Sequence, residues 1–247
     1  MQAGKTGITK RRLVVAVLLV ALAVMATGSI LQRHSLACEL LPVLGYPMIG
    51  QDVYLVGDTT RERAEEIADL VAEARGRIES AYGTPVAQPR VLVTSSPDIA
   101  RRWGSNETAS MHRAPHRACI VLGPRGQNVD VIAHEWLHAE IMHRVGFVRF
   151  LTEIPVWFDE GAALTVDYRA PFLPENIHLS EPDIQAVQRL SRGSDFFSGD
   201  VRQHYQAARL AVEPLIIADA FFHDLDRIAN GESFAEVFLS RDPASGQ

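Results

Sequence analysis

The sequence predicts an α+β fold: a small mixed β-sheet packed on helices, then a helical C-terminal subdomain, with a hydrophobic helix at the N-terminus. Three observations carry this. Short runs rich in β-branched and aliphatic residues occur at 52–57, 90–94 and 118–123. Apolar residues recur at helical spacing over 60–82, 128–145 and 155–168. From about residue 182 onward the segments are helical and separated by polar breaks. The organisation is residues 1–32 as a signal segment, 38–170 as the sheet-bearing domain and 171–247 as the helical subdomain. There are no repeats or low-complexity tracts.

Residues 1–12 are polar and carry Lys5, Lys10, Arg11 and Arg12, and no acidic residue precedes the apolar run 13–31. A charged flank followed by a long apolar segment is an export signal rather than part of the fold. Its 19 residues are just enough to span a bilayer as a helix. Val24, Ala26 and Gly28 permit cleavage, while the length favours an uncleaved anchor. The positive flank stays in the cytoplasm. The expected location is the inner or cell membrane, single-pass, with the folded part on the extracytoplasmic (periplasmic) side, or secreted if the signal is cleaved. Without the four basic groups the remainder carries 20 basic against 30 acidic residues. With no basic stripe, no nucleic-acid partner is expected. About 215 residues suffice for one sizeable domain.

The two cysteines are Cys38 and Cys119. An even count in an exported chain suggests a disulfide. The alternatives are lipidation of Cys38, argued against by Arg33 and His34 just before it, or two free thiols.

The elements follow in order. Residues 52–57 read as a strand ended by glycine. Thr59 or Thr60 caps a helix whose apolar face is Ala64, Ile67, Leu70, Val71, Ala74 and Ile78, and Gly83-Thr84-Pro85 ends it. Residues 90–94 form a second strand. Residues 96–116 read as a polar loop with a short helix near 99–103, its His112 and His116 being surface residues. Residues 118–123 form a third strand. Asn128 and Asp130 then place cap and charge at the start of a helix over 128–145. A second helix starts at Pro155 and runs to 168. Helices follow over 182–190, 201–229 and 232–239.

The chemistry concentrates in Val131-Ile132-Ala133-His134-Glu135-Trp136-Leu137-His138. Positions i and i+4 share a helix face, so His134 and His138 can aim two imidazoles at one point, which suits zinc. Glu135 lies about 100° round the helix, placed to reach a water beside the ion as general base. A catalytic zinc needs a third protein ligand. Glu160, one turn into the apolar segment Ile154-Pro155-Val156-Trp157-Phe158-Asp159-Glu160-Gly161-Ala162-Ala163, is a carboxylate that needs a partner or a metal. His143 competes poorly: five residues beyond His138, it points elsewhere and reads as part of a basic last turn before Gly146.

His-Glu-x-x-His followed by Trp-Phe-x-Glu-Gly-x-Ala resembles the gluzincin branch of the zinc metallopeptidases. The likeness covers roughly residues 130–170, with weaker similarity towards Tyr205. The 21 residues between His138 and Glu160 make a longer gap than in the thermolysin-like or aminopeptidase families, and the aminopeptidase Gly-x-Met-x-Asn motif is absent. The resemblance implies a zincin-like fold, His134, His138 and Glu160 as zinc ligands, and Glu135 as the residue that activates water. It implies a late-helix tyrosine, here Tyr205 with His204 as fallback, that stabilises the oxyanion. It makes the strand over 118–123 a candidate edge for pairing with an extended peptide, an interior strand being the alternative. Asp167, on the face of Glu160, could orient an imidazole; Asp159 reads rather as a surface charge.

The expected function is a membrane-anchored zinc metallopeptidase acting on a peptide or protein substrate. The alternatives are a catalytically inactive zincin-like membrane-anchored binding protein that holds zinc structurally, and a zinc-free exported scaffold.

Overall fold

Alternation along three strands decides the layering. In β2 (Val53–Val56), β3 (Arg90–Thr94) and β5 (Cys119–Leu122) every residue is buried. Both faces of these strands therefore need an apolar partner. Val53, Leu55, Val91, Val93, Ile120 and Leu122 enter one core, and Tyr54, Val56, Leu92, Cys119 and Val121 enter another on the opposite face. The computed structural model describes residues 14–15, 17–19, 33–50, 52–57 and 60–240.

The sheet is mixed and five-stranded, in the order β1-β2-β3-β5-β4. β2, β3 and β5 run parallel. The short β1 (Met48–Ile49) and β4 (Ala109–His112) close the two edges antiparallel. The α+β expectation therefore holds, with two corrections. Residues 109–112, expected as loop, form β4 in the register Ala109↔Leu122 and His112↔Cys119. The strand over 118–123, a candidate edge, lies inside the sheet with partners on both sides. Its Cys-Ile-Val-Leu core is apolar throughout because it is covered on both faces.

On one face lie α2 (Arg61–Tyr82) and α4 (Val129–Val145). Thr60 caps α2 by accepting from the Arg63 amide, and its buried stripe is Ala64, Ile67, Val71, Ala74 and Ile78. Arg77 of α2 meets Asp130 of α4 at 2.5 Å. On the other face lie α1 (Arg33–Glu39) and α3 (Pro97–Arg102), whose neighbours Tyr46, Ile99 and Trp103 pack on the smaller core.

A disulfide joins Cys38 of α1 to Cys119 of β5, with Cα atoms 6.3 Å apart. Charges reinforce it. Arg90, buried in β3, donates to the Cys38 carbonyl at 2.7 Å and to Asp52 at 3.1 Å. Arg117 bridges Asp52 at 2.7 Å and Glu39 at 3.0 Å.

Beyond α4 the chain forms α5 (Phe147–Glu153), α6 (Val156–Ala163), α7 (Glu181–Val187), α8 (Gly193–Phe196), α9 (Val201–Val212) and α10 (Phe221–Ala229), then a π-helical turn at Ala235–Leu239. The helix expected over 155–168 ends at Ala163, and the one expected over 201–229 is two helices separated at 213–220. Phe158 of α6 shares one core with Phe196, Phe221 and Phe238, so the sheet-bearing and helical portions pack without a break. The apolar run 13–31, apart from residues 14–15 and 17–19, lies outside the described residues. Among the described residues no helix is long and apolar enough to cross a membrane.

Candidate metal centre

The centre is built on α4. Asn128 caps it by accepting from the Val131 amide at 3.0 Å, and Gly146, at φ 85°, stops it. Glu140, fully buried, accepts from the Val86 and Ala87 amides at 3.0 and 2.7 Å and from Arg144 at 2.6 Å. That fixes the back of the helix. Its other face points His134 and His138 inward, with their Nε2 atoms 3.1 Å apart.

Glu160 of α6 completes the triangle. Its Oε2 lies 3.5 Å from His134 Nε2 and 3.4 Å from His138 Nε2. Donor atoms about 2.0–2.1 Å from a zinc ion at near-tetrahedral angles stand about 3.3–3.4 Å from one another. The three side chains are buried and together could hold a metal ion.

The outer ring nitrogens decide which inner atoms offer lone pairs when the rings are neutral. Asp159 Oδ1 lies 2.8 Å from His138 Nδ1, and Asp167 Oδ2 lies 3.5 Å from His134 Nδ1. A carboxylate beside Nδ1 favours the tautomer with its proton there and leaves Nε2 as acceptor. Glu160 Oε2 has no hydrogen-bond partner among the described residues. Two imidazole lone pairs and a carboxylate oxygen then converge in a buried place, which is stable only around protons or a cation. The donor set fits a divalent ion of the zinc type.

Electrostatics agree. Burial opposes charge on His134, but Asp167 and Glu160 outweigh it and its pKa is raised. Burial likewise opposes charge on His138, yet Asp159 and Glu160 push its pKa well above the usual imidazole value. Burial works to raise Glu160, and the two histidines nevertheless hold it well below the usual carboxylate range. Burial raises Glu135 against the attraction of the same histidines, which makes it a stronger base than a surface glutamate. Asp167 is buried but held low by Arg169.

A cavity of about 660 Å³ opens over these groups. Its walls include His34 and Ser35 of α1, Ser110 and His112 of β4, Arg113, Phe197 and Tyr205, with Glu135, His134, His138 and Glu160 at the base. The edge strand therefore runs along the cavity.

Tyr205 reaches it from α9 because α9 lies directly on α6. A Cβ on Gly161 would stand 2.4 Å from the Ala208 carbonyl oxygen, so the residue after Glu160 has to be glycine for this approach. One turn before Ala208, the Tyr205 ring sits 6.4 Å from that of His134 and packs edge-on against Phe196 at 5.3 Å. Burial, then the charges of Glu160 and Glu135, push its phenol far above the ordinary value, so it remains an O–H donor. His204 faces the Phe196 carbonyl with Nδ1 at 2.7 Å and is no substitute.

The structure thus brings His134, Glu135, His138, Glu160 and Tyr205 to one cavity and leaves His143 outside, exposed in the last turn of α4. Asp167 stands near His134 as expected, though from the turn after α6 rather than from its face. Two readings are corrected. Asp159 is not a surface charge but buried against His138, because α6 crosses α4 with both its carboxylates turned inward. His112 is not in a surface loop but on β4, its Nε2 2.6 Å from the Trp103 carbonyl. Arg113, His34 and Ser35 were not foreseen; no local pattern marks a residue brought to a site by sheet order and a distant disulfide. No family model of known proteins and no curated protein matches the chain.

Proposed function

We propose that the chain is a zinc-dependent metallopeptidase of a divergent, gluzincin-like kind, hydrolysing peptide bonds outside the cytoplasm. The observation that carries this is the convergence of two imidazole nitrogens and a carboxylate oxygen, 3.1–3.5 Å apart, with the basic Glu135 beside them and an open cavity above. The mixed sheet, with β4 lining the cavity, supports a zincin-like fold. The Cys38–Cys119 disulfide supports an oxidising compartment, and the run 13–31 supports a single membrane anchor with the site on the extracytoplasmic side, or secretion after cleavage.

A zinc ion held by His134, His138 and Glu160 would supply Lewis acidity and bring a water into reach of neutral-pH ionisation. The chain's own groups do the rest. Asp159 and Asp167 keep a proton on each Nδ1 so that both Nε2 atoms face the ion. Glu135 takes a proton from the attacking water at its carboxylate and delivers it to the leaving amine. The Tyr205 hydroxyl donates to the oxygen on which negative charge develops, a contribution of about 3 kcal/mol in comparable sites. β4 offers edge backbone groups to an extended peptide.

The rival is a catalytically inactive zincin-like membrane-anchored binding protein. A structural zinc has four protein ligands, whereas the group found among the described residues has three. The test is zinc content and hydrolysis of a mixed peptide library by the wild type, Glu160→Ala and Glu135→Gln. We expect one zinc in the wild type, its loss in Glu160→Ala, and retained zinc without hydrolysis in Glu135→Gln. Folded wild type without zinc, or a fully active Glu135→Gln, would overturn the reading.

A further inference from the structure

α1 and the turns that follow it have two unlike sides. Ser35, Cys38 and Leu41 point inward, and the disulfide, Arg90 and Arg117 lock this side to the sheet. The other side exposes Leu36, Leu40, Val43 and Leu44, with Val43 82% exposed. The turns continue past α1, since the Val43 and Leu44 amides both donate to the Leu40 carbonyl at 2.9 Å. Leu36 lies on α1, and Leu40, Val43 and Leu44 lie on the turns that continue it. Residues 40–51 contain no charged side chain. An apolar, uncharged face held rigidly outward is not a solvent surface.

What covers it is indicated by the chain just before it. The apolar run 13–31 ends two residues before Arg33. Leu31 and His34 are three residues apart, which the backbone can stretch to about 10 Å at most. Read as an anchor, the run puts the start of α1, and with it Leu36 two residues after His34, at the membrane surface. His34 and Ser35, on α1 with Leu36, line the cavity.

We propose that the Leu36–Leu40–Val43–Leu44 face lies in the headgroup and upper acyl region of a lipid bilayer, so that the cavity opens beside the membrane and receives chain segments of membrane-anchored proteins close to the lipid. Interfacial helices bury their apolar face about 5–10 Å into that region. The proposal rests on residues 13–31 being an anchor and, for its substrate class, on the peptidase reading.

The experiment uses the full chain in vesicles of phosphatidylcholine and phosphatidylglycerol. Single cysteines are placed at Val43→Cys, Leu40→Cys and, as a control, Asn230→Cys. Asn230 is exposed at the end of α10, whose apolar residues pack in the core on the opposite sheet face from α1. The native cysteines are tied together and leave the new thiol for an environment-sensitive dye. Expected at 40 and 43 are blue-shifted emission, its loss with a lipid-borne quencher and protection from aqueous iodide, with the reverse at 230. Dye at 40 and 43 that is open to iodide and unaffected by the lipid quencher, on a chain that floats with the vesicles, overturns the proposal but leaves the anchor. Protection from both quenchers overturns it too, showing that protein, from this chain or a second copy, covers the stripe. Failure to float removes the anchor and the proposal together. Zinc content and peptide hydrolysis of the same preparation report separately on the peptidase reading.

Discussion

Asp159 and Glu160, consecutive in α6, address the two nitrogens of one imidazole: Asp159 Oδ1 stands 2.8 Å from Nδ1 of His138, and Glu160 Oε2 3.4 Å from its Nε2. One residue favours the Nδ1–H tautomer and the next belongs to the group that could hold an ion. Asp159→Asn keeps the shape but removes the charge that favours the Nδ1–H form. It is expected to weaken zinc affinity by about 10–100-fold, measured by competition with a chelator. Unchanged affinity would leave Asp159 no part in orienting His138.

Glu135→Gln is expected to keep zinc and lower kcat by about 10²–10⁴-fold. Because the glutamate supplies no donor atom to the group, a parallel loss of zinc would mean that the residue holds the ion rather than the proton.

Gly161→Ala places a Cβ 2.4 Å from the Ala208 oxygen. α9 must move away and carry Tyr205 with it. The expected cost is about 1–3 kcal/mol of stability, read as a lower Tm, with reduced hydrolysis. Zinc content should persist, since α9 supplies no ligand. An alanine variant with normal Tm and activity would show that the helices tolerate a wider spacing.

The pH dependence has a definite sign. In the metal-free protein both imidazoles have raised pKa values. Their contribution to stability is complete below the ordinary value of about 6.5 and is lost as pH rises through the raised ones. Glu160 and Asp167 are held low, so theirs is present above the usual carboxylate range and is lost only as pH falls through the depressed values. An ion must displace the imidazole protons. The gain in Tm on adding zinc should therefore grow from about pH 6.5 to about pH 8. A gain that shrinks over this window in differential scanning fluorimetry would count against the assignment of ligands.

Cys38 and Cys119 are 81 residues apart. Replacing both by alanine should lower stability by about 2–5 kcal/mol, seen as a lower urea midpoint. A midpoint unchanged within error would mean that the Arg90 and Arg117 contacts hold α1 unaided.

Much of this could be read from the residues. α4 announced itself through Asn128, the 3.6-residue apolar period and Gly146, and the His-Glu-x-x-His spacing placed three site residues on it. The strands 90–94 and 118–123 were visible as aliphatic runs. β4 was not, because Ala-Ser-Met-His is only four residues long, has no β-branched or aromatic side chain, and is made a strand by its neighbour β5. Asp159 reads as a surface charge in the sequence for a related reason. Helical period says which side a residue takes on its own helix, but not that α6 would cross α4 so closely that two adjacent carboxylates both face inward. Long-range placement also hid His34 and Ser35, which reach the cavity through a disulfide to a strand far along the chain.

The surroundings of the centre have a stoichiometric consequence. Four carboxylates, those of Glu135, Asp159, Glu160 and Asp167, gather round two imidazoles. Arg169 binds Asp167, and Arg113 lies 3.9 Å from Asp159. With both imidazoles protonated, these charges cancel. Exchanging the two protons for one dication leaves them cancelled. Loading by a dication would then be an electroneutral swap. A dication that displaced fewer than two protons would break that balance, so acidification, by returning both protons, would favour its release.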